Sequence, residues 1–484
     1  MGRRALLIAA ALLASWVGAA PADAHVGSPD VFFEGQAGPY TLLVTIQPPE
    51  VIPGVAVVEV QAPTDELRAV SIVPTPLRGP GAARPPTADV ARPAPDDPHR
   101  FTGRLWLMSP GSWQVRVHVE GARGGGELAV PVPALPTRTL TMQRGLGFGL
   151  TAVLAFLVAA VISIVGASVR DAPLTPGEIA DPARRRRARI AQTVTFVVLA
   201  VVVGAGGVWW GSEATSYGGQ VYKPLGVESS VEGAALSLSL IAPTKGRRLD
   251  DLVPDHEHLM HLFLLRVPAL DVVAHLHPEL SAPGHFQHRL PTLPAGEYKL
   301  FADIVHESGL AETATTTLTL PAISGGFAGP DDSAGQGQPL AASESTTVTL
   351  ADGTRVVWLR DAATPLRAGR ATWFRFRVES NDGKPADDLH PYMGMAGHAA
   401  FVKDDRSVFA HIHPSGSVSM ATLSLIDGDA KPDPHAGHKM HAAALPPEIA
   451  FPYACPKPGL YRIVVQFKRG ETIETAFFAA TVTE

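Results

Sequence analysis

Pro458-Gly459-Leu460-Tyr461-Arg462-Ile463-Val464-Val465-Gln466-Phe467 reads as a tight turn opening directly into a strand. Proline and glycine set the turn. Tyr461, Ile463, Val465 and Phe467 then share one apolar face, the period of two that a half-buried strand requires. The same corner recurs upstream in Pro110-Gly111-Ser112-Trp113-Gln114-Val115 and in Pro294-Ala295-Gly296-Glu297-Tyr298-Lys299-Leu300. An aromatic opening a late strand after such a turn fits the corner of an immunoglobulin-like sandwich. Phe374, Phe376 and Val378 alternate with Arg375 and Arg377 in the same manner. The expected fold is therefore all-β: three immunoglobulin-like sandwiches at 25–138, 218–321 and 345–484, plus a two-helix transmembrane hairpin. Pro-rich Thr75–Pro98 reads as a long loop of the first sandwich, and 322–344, rich in Gly, Ser, Asp and Pro, as a flexible linker.

The composition agrees. A chain of 484 residues suits about three domains. With 46 glycines and 44 prolines it favours short strands and turns over long soluble helices. A net charge of −6 gives no sign of nucleic-acid binding. The single cysteine, Cys455, excludes an intrachain disulfide, a Cys-x-x-Cys redox pair and a thiolate zinc cage.

Residues 1–24 read as a secretory signal. Arg3 and Arg4 precede the apolar run Ala5–Val17, and Ala22-Asp23-Ala24 offers a small-x-small cleavage site, which would leave His25 first in the mature chain. An uncleaved anchor is the other reading, although the run is short for a span. Two uncharged stretches, 145–169 and 190–212, would each form a helix of roughly 34–38 Å, enough to cross a hydrocarbon core of about 30 Å. The segment between them, 170–189, carries Arg170, Arg184, Arg185, Arg186, Arg187 and Arg189. The positive-inside rule places it in the cytoplasm and both flanking regions outside, at the periplasmic face of an inner membrane. Neither span contains an ionisable residue, methionine or histidine, so the hairpin reads as an anchor in the lipid bilayer. Gly145-x-x-x-Gly149 and Gly207-x-x-x-Gly211 are candidate close-packing points between the two helices.

Histidine carries the chemistry: fifteen of eighteen lie beyond position 255. The second sandwich has Met260-His261-Leu262, then His275-Leu276-His277-Pro278; the third has Gly397-His398-Ala399, then His411-Ile412-His413-Pro414. In a strand, i and i+2 share a face, so each His-x-His pair can grip one ion, with His261 or His398 as a third ligand. One His-x-His-Pro alone also suits a turn capped by imidazoles; two copies at matching places favour duplication and a metal. Met393 and Met395 beside His398 add soft thioethers that suit Cu(I), whereas zinc seldom uses them; the other reading of these methionines is gap-filling between sheets. Copper is the expected ion, Cu(I) first, with zinc as the alternative.

Further candidates are His258 beside Met260, the loop cluster His435, His438, Met440 and His441, and His25, whose free amine and ring could chelate Cu(II). His285 and His288 read as solvated. No nucleophile elbow, phosphate loop or blue-copper cysteine is present, so no enzyme is expected.

The paired motifs of the second and third sandwiches, with Met393-Gly394-Met395-Ala396-Gly397-His398, resemble the exported YtkA-like and FixH-like domains. The start at His25-Val26-Gly27-Ser28-Pro29 is similar to CopC-type copper proteins. The first resemblance implies copper handling and copper-oxidase assembly, hence a copper-recipient or assembly partner in the envelope. The second implies a ligand role for His25. This chain departs from both patterns in joining three sandwiches around a helical hairpin. The leading expectation is a membrane-anchored protein that buffers or delivers copper; the alternative is an immunoglobulin-like envelope scaffold with structural histidines.

Overall fold

The computed structural model describes residues 30–62, 67–79, 81–172, 174–175, 177–244, 246–342, 345–361, 363–426 and 445–484. Over the described residues the chain is mostly β-strand, in curled sheets, with two long apolar helices. It divides into two compact units. One holds the described residues up to Pro49 with Pro53–Ala134 and Lys223–Glu484; the other holds Glu50–Ile52 with Leu135–Tyr222.

In the second unit, helices Arg144–Asp171 and Pro182–Gln220 are both long and apolar enough to cross a membrane. The latter begins earlier than the apolar run alone implies. The Asp181 side chain accepts from Arg184 N at 2.6 Å and Pro182 takes the first helical position, so the arginine-rich segment 184–189 is helical. The helices approach closely at Gly166, where an added Cβ would meet the Gln192 side chain. Gly145, Gly149, Gly207 and Gly211 face open space instead.

Within the β-rich unit, the first β-region is an eight-stranded sheet running from Val31–Ala37 to Gly124–Ala134. It curls until Gly38 lies against Gly125. Part of the expected Thr75–Pro98 loop is strand Asp89–Ala94, paired on both sides. The second β-region is a ten-stranded sheet in which Gly296–His306, His261–Val267 and Val272–Leu276 lie side by side. The third has a four-stranded and a six-stranded sheet enclosing one core of Phe374, Phe376, Phe401, Tyr461, Ile463, Val465 and Phe478. The face read from the sequence at Tyr461, Ile463, Val465 and Phe467 is that core face.

The opposite face of the same strand is also buried. Val464 joins Phe263, Leu265, Phe301, Ala400, Val402, Phe409 and Phe477 in an apolar layer between the second and third β-regions. Phe301 and Phe409 stack there at 4.1 Å. Arg462, 4% exposed, donates to the carbonyls of Leu270 at 2.9 Å and Gln338 at 2.7 Å across this layer, and burial pushes its pKa down to about 10.

The expected linker departs most from a flexible tether. Ser333–Gln336 pairs with Val272–Leu276 as an added strand, and Asp332 is 4% exposed. Its carboxylate accepts from the backbone amides of His277, Ala328 and Gly329. Aspartate fastens a Gly/Ser-rich stretch by satisfying backbone donors that would otherwise stay in water.

A histidine centre between two β-regions

Each histidine set is built on a pair of adjacent strands. His261 opens the strand His261–Val267, and the neighbouring strand brings His275 and His277 alongside, Leu262 pairing with Leu276. In the third β-region His398 opens the equivalent strand, and Ala399 pairs with Ile412 to bring His411 and His413 alongside. The two sets match in detail. His261 Nδ1 lies 3.2 Å from His275 Nε2, and His398 Nδ1 lies 3.1 Å from His411 Nε2. Donor atoms of His261, His275 and His277 all lie within 4.8 Å of one another, as do those of His398, His411 and His413.

The turn before each set is duplicated as well. Asp255 and His258 close a bridge that precedes His261, just as Tyr392 and Met395 close one before His398. His256 and Glu257 occupy the left-handed backbone region, as Met393 and Gly394 do in the other copy. Each turn presents its first carbonyl to the histidine that follows. His261 Nε2 donates to Asp255 O at 3.1 Å, and His398 Nε2 donates to Tyr392 O at 3.2 Å.

These contacts fix the tautomers. A ring that donates through Nε2 leaves Nδ1 bare when neutral. On the facing ring, His275 Nδ1 donates to Gln466 Oε1 at 3.0 Å, and the Gln466 amide nitrogen is engaged by Ser333 Oγ at 2.7 Å. His275 Nε2 is therefore also bare. Two lone pairs face each other, an arrangement that a cation satisfies. Their 3.2 Å separation is close to the ~3.3 Å spanned by two nitrogens bound to one tetrahedral ion at about 2.0–2.1 Å. In the other set, His411 Nδ1 lies 3.5 Å from Asp303 Oδ2, a carboxyl that burial pushes up to about 7.

The sets meet across the interface. His261 and His411 rings are 5.3 Å apart, His275 and His411 5.4 Å, and His256 lies 4.8 Å from His413. His258 stacks on His277 at 4.0 Å. Eight imidazoles thus form one continuous cluster. Gln466 of the third β-region anchors a histidine of the second, and Asp303 of the second faces one of the third.

Burial and neighbouring imidazoles hold His261, His275, His398 and His411 well below the ordinary histidine range. Burial, with His256 adding to it, pushes His413 down to about 4. The rings are neutral and available as ligands at pH 7. His256 Nε2, His277 Nε2 and His413 Nε2 are buried without a hydrogen-bond partner. Such orphans are unusual in a packed interior. Behind His277, Asp332 Oδ1 lies 3.3 Å from Nδ1 and so orients the free Nε2 inward. Burial acts to raise the Asp332 carboxyl, but hydrogen bonds from His277 and His288 outweigh it and hold it well below its usual value.

The other sequence candidates fall as follows. Met260 is fully buried in the core of the second β-region, where it packs with Leu262 and Leu264 rather than in the cluster. Met393 is half-buried on its turn and Met395 is buried. Cys455 lies in the third region's core, where burial pushes its thiol up. His288 is not solvated: its side chain is 4% exposed and its Nε2 sits 3.1 Å from Asp332. His285 is exposed and meets Ser239 Oγ at 2.9 Å. His25, His435, His438, Met440 and His441 lie outside the described residues. Sequence reasoning grouped His256 with His258 and Met260 without making it a ligand, and missed Asp255, Asp303, Asp331, Asp332 and Gln466 as supports. The available signal was internal, since Asp255 stands before His261 as Tyr392 stands before His398.

A domain family described only as a domain of unknown function (DUF8832) matches residues 224–322 and 347–484, just under half of the chain. The matched segments carry all eight clustered histidines. None of the curated proteins matches. Among solved structures, a tetra-tandem repeat from the extending region of a large adhesion protein is 9% identical, with 89% of this chain and 71% of that one covered and a TM-score of 0.16. A membrane-anchored protein of Corynebacterium diphtheriae is 8% identical, covering 94% of this chain and 96% of its own, at a TM-score of 0.15. Escherichia coli alpha-2-macroglobulin is 8% identical, covering 94% and 31%, at 0.18. None of these likenesses extends to the overall fold.

Proposed function

We propose that this is a membrane-anchored metal-binding protein whose histidine centre holds copper, zinc being the alternative ion. It buffers that ion or passes it to a recipient or assembly protein of the cell envelope. In this reading residues 1–24 are a signal, the two helices form a hairpin with the arginine-rich segment 170–189 in the cytoplasm, and the immunoglobulin-like β-regions are periplasmic. The chain acts as a carrier rather than a catalyst.

One observation carries the reading. Neutral, buried imidazoles bring ring nitrogens within 3.1–3.2 Å of each other, twice, at one interface, and in the His261–His275 pair hydrogen bonds to Asp255 O and Gln466 Oε1 leave both facing nitrogens bare. Burying such lone pairs against each other is costly unless a cation lies between them. Imidazole suits copper and zinc, and among divalent ions affinity for nitrogen sites peaks at Cu(II). The geometry supports an imidazole centre, with Met393 and Met395 on the turn before His398 as the soft ligands that would favour Cu(I). His258 and Asp331 sit at its more open edge, with side chains 25% and 31% exposed, so an ion would enter there and move from ring to ring by ligand exchange.

The test is a competition titration of the full chain in detergent with Cu(I), Cu(II) and Zn(II) against calibrated chelators. Tight copper binding that is lost when His261 and His398 are both changed to alanine is expected. A folded protein that competes for none of the ions would overturn the proposal and leave the histidines structural, as in an envelope scaffold.

A further inference from the structure

The two copies of the duplicated turn differ at one position that bears on the centre. Where the third β-region has Met393, the second has His256. Both residues are held in the left-handed region, His256 at φ 48° and Met393 at φ 50°. That backbone is costly for a residue with a side chain and persists where the surroundings enforce it. Here it carries the His256 ring out of its own β-region's set and toward the other, 5.4 Å from His398 and 4.8 Å from His413. The His256 side chain is 5% exposed and its Nε2 has no hydrogen-bond partner, and the same holds for Nε2 of His413, itself 3% exposed. Asp255, its side chain 7% exposed, lies 4.0 Å from His256 Nε2. Its Oδ1 already accepts from Ala421 N of the third β-region at 3.0 Å. Donor atoms of Asp255, His256 and His413 lie within 4.8 Å of one another.

We propose that Asp255, His256 and His413 form a further ion position, distinct from the two three-histidine sets and spanning the second and third β-regions. The inference rests on the metal-centre reading above. Two imidazoles and a carboxylate make a harder, anionic donor set than three imidazoles, so this position takes a divalent ion, Cu(II) or Zn(II), in preference to Cu(I). His413 belongs to both this position and the set with His398 and His411. A neutral imidazole has one free lone pair, so His413 serves one position at a time. The ion therefore moves between the spanning position and the third region's set by exchange at His413, without release.

The test is Cu(II) titration of the full chain in detergent, followed by electron paramagnetic resonance and chelator competition, with Asp255→Asn and His256→Gln compared with His398→Ala. Asparagine keeps an acceptor for Ala421 N, and thermal unfolding confirms that each variant folds. Two Cu(II) signals are expected in the unaltered chain. Asp255→Asn and His256→Gln should each abolish the same one and weaken that class of site by about tenfold or more, the scale of losing even an outer-shell partner. His398→Ala should deplete the other. Copper binding that needs His398 but ignores both Asp255→Asn and His256→Gln overturns this inference alone. No bound Cu(II) in the unaltered chain overturns both it and the reading beneath it.

Discussion

Replacing Gln466 with methionine removes the shorter of the two contacts that fix the His275 tautomer, the other being Tyr392 Oη at 3.4 Å, while nearly preserving side-chain volume. Gln466 is 1% exposed and belongs to the third β-region; its Oε1 accepts from His275 Nδ1 at 3.0 Å and its Nε2 reaches Ser333 Oγ at 2.7 Å and Thr475 Oγ1 at 3.2 Å. Two consequences follow. Leaving these buried partners unsatisfied costs about 1–3 kcal/mol of stability. Freeing His275 to carry its proton on Nε2 would put that proton on the nitrogen facing His261, so metal affinity should fall by about 10–100-fold, or about 1.4–2.7 kcal/mol. Chelator competition on the full chain in detergent reads the second effect and thermal unfolding reads the first. A Gln466→Met protein that folds and binds copper as tightly as the unaltered chain would refute the tautomer argument.

Acid should destabilise the metal-free protein. His413 titrates near 4 when folded and about 6.5 when unfolded, so between those values the unfolded chain holds the extra proton and stability rises with pH. Falling through that window, His413 alone removes about 3 kcal/mol, which urea melts of chelator-treated protein at pH 7 and pH 4.5 would register. Phe409→Ala deletes a ring stacked on Phe301 between the second and third β-regions. It should cost about 3–5 kcal/mol and weaken copper binding as the two histidine sets loosen, by the same melts and titration. Gly416→Ala would drive a Cβ to 2.0 Å from Phe32 O at φ +116°, and should lower the melting temperature by detaching Val31–Ala37 from the turn after His413, with limited proteolysis as the readout. Deleting residues 144–220 should release the chain from membranes into the alkaline-wash supernatant.

Strand alternation was legible because it depends on neighbours in sequence. Tyr461, Ile463, Val465 and Phe467 could be assigned a common apolar face from their period alone. Arg462, Val464 and Gln466 could not be placed by the same rule, which leaves an alternate face to solvent. They are buried because a second sheet, nearly two hundred residues upstream, packs on them. The two His-x-His pairs were visible as a repeat, but their convergence depends on that same packing. Asp332 was hidden in a stretch whose composition suggests a tether, since composition does not register a carboxylate that satisfies three backbone amides. Met260 misled in the opposite direction. A methionine beside a histidine suggests a soft ligand, yet its adjacent position turns it into the core.

The imidazole centre is tested most directly by X-ray absorption at the copper edge on the copper-loaded full chain. Nitrogen scatterers at about 2.0 Å are expected, with the outer-shell pattern of several imidazoles, diminished when His261 and His398 are replaced. A first shell dominated by sulfur at about 2.3 Å, or a spectrum unchanged by those replacements, would contradict it.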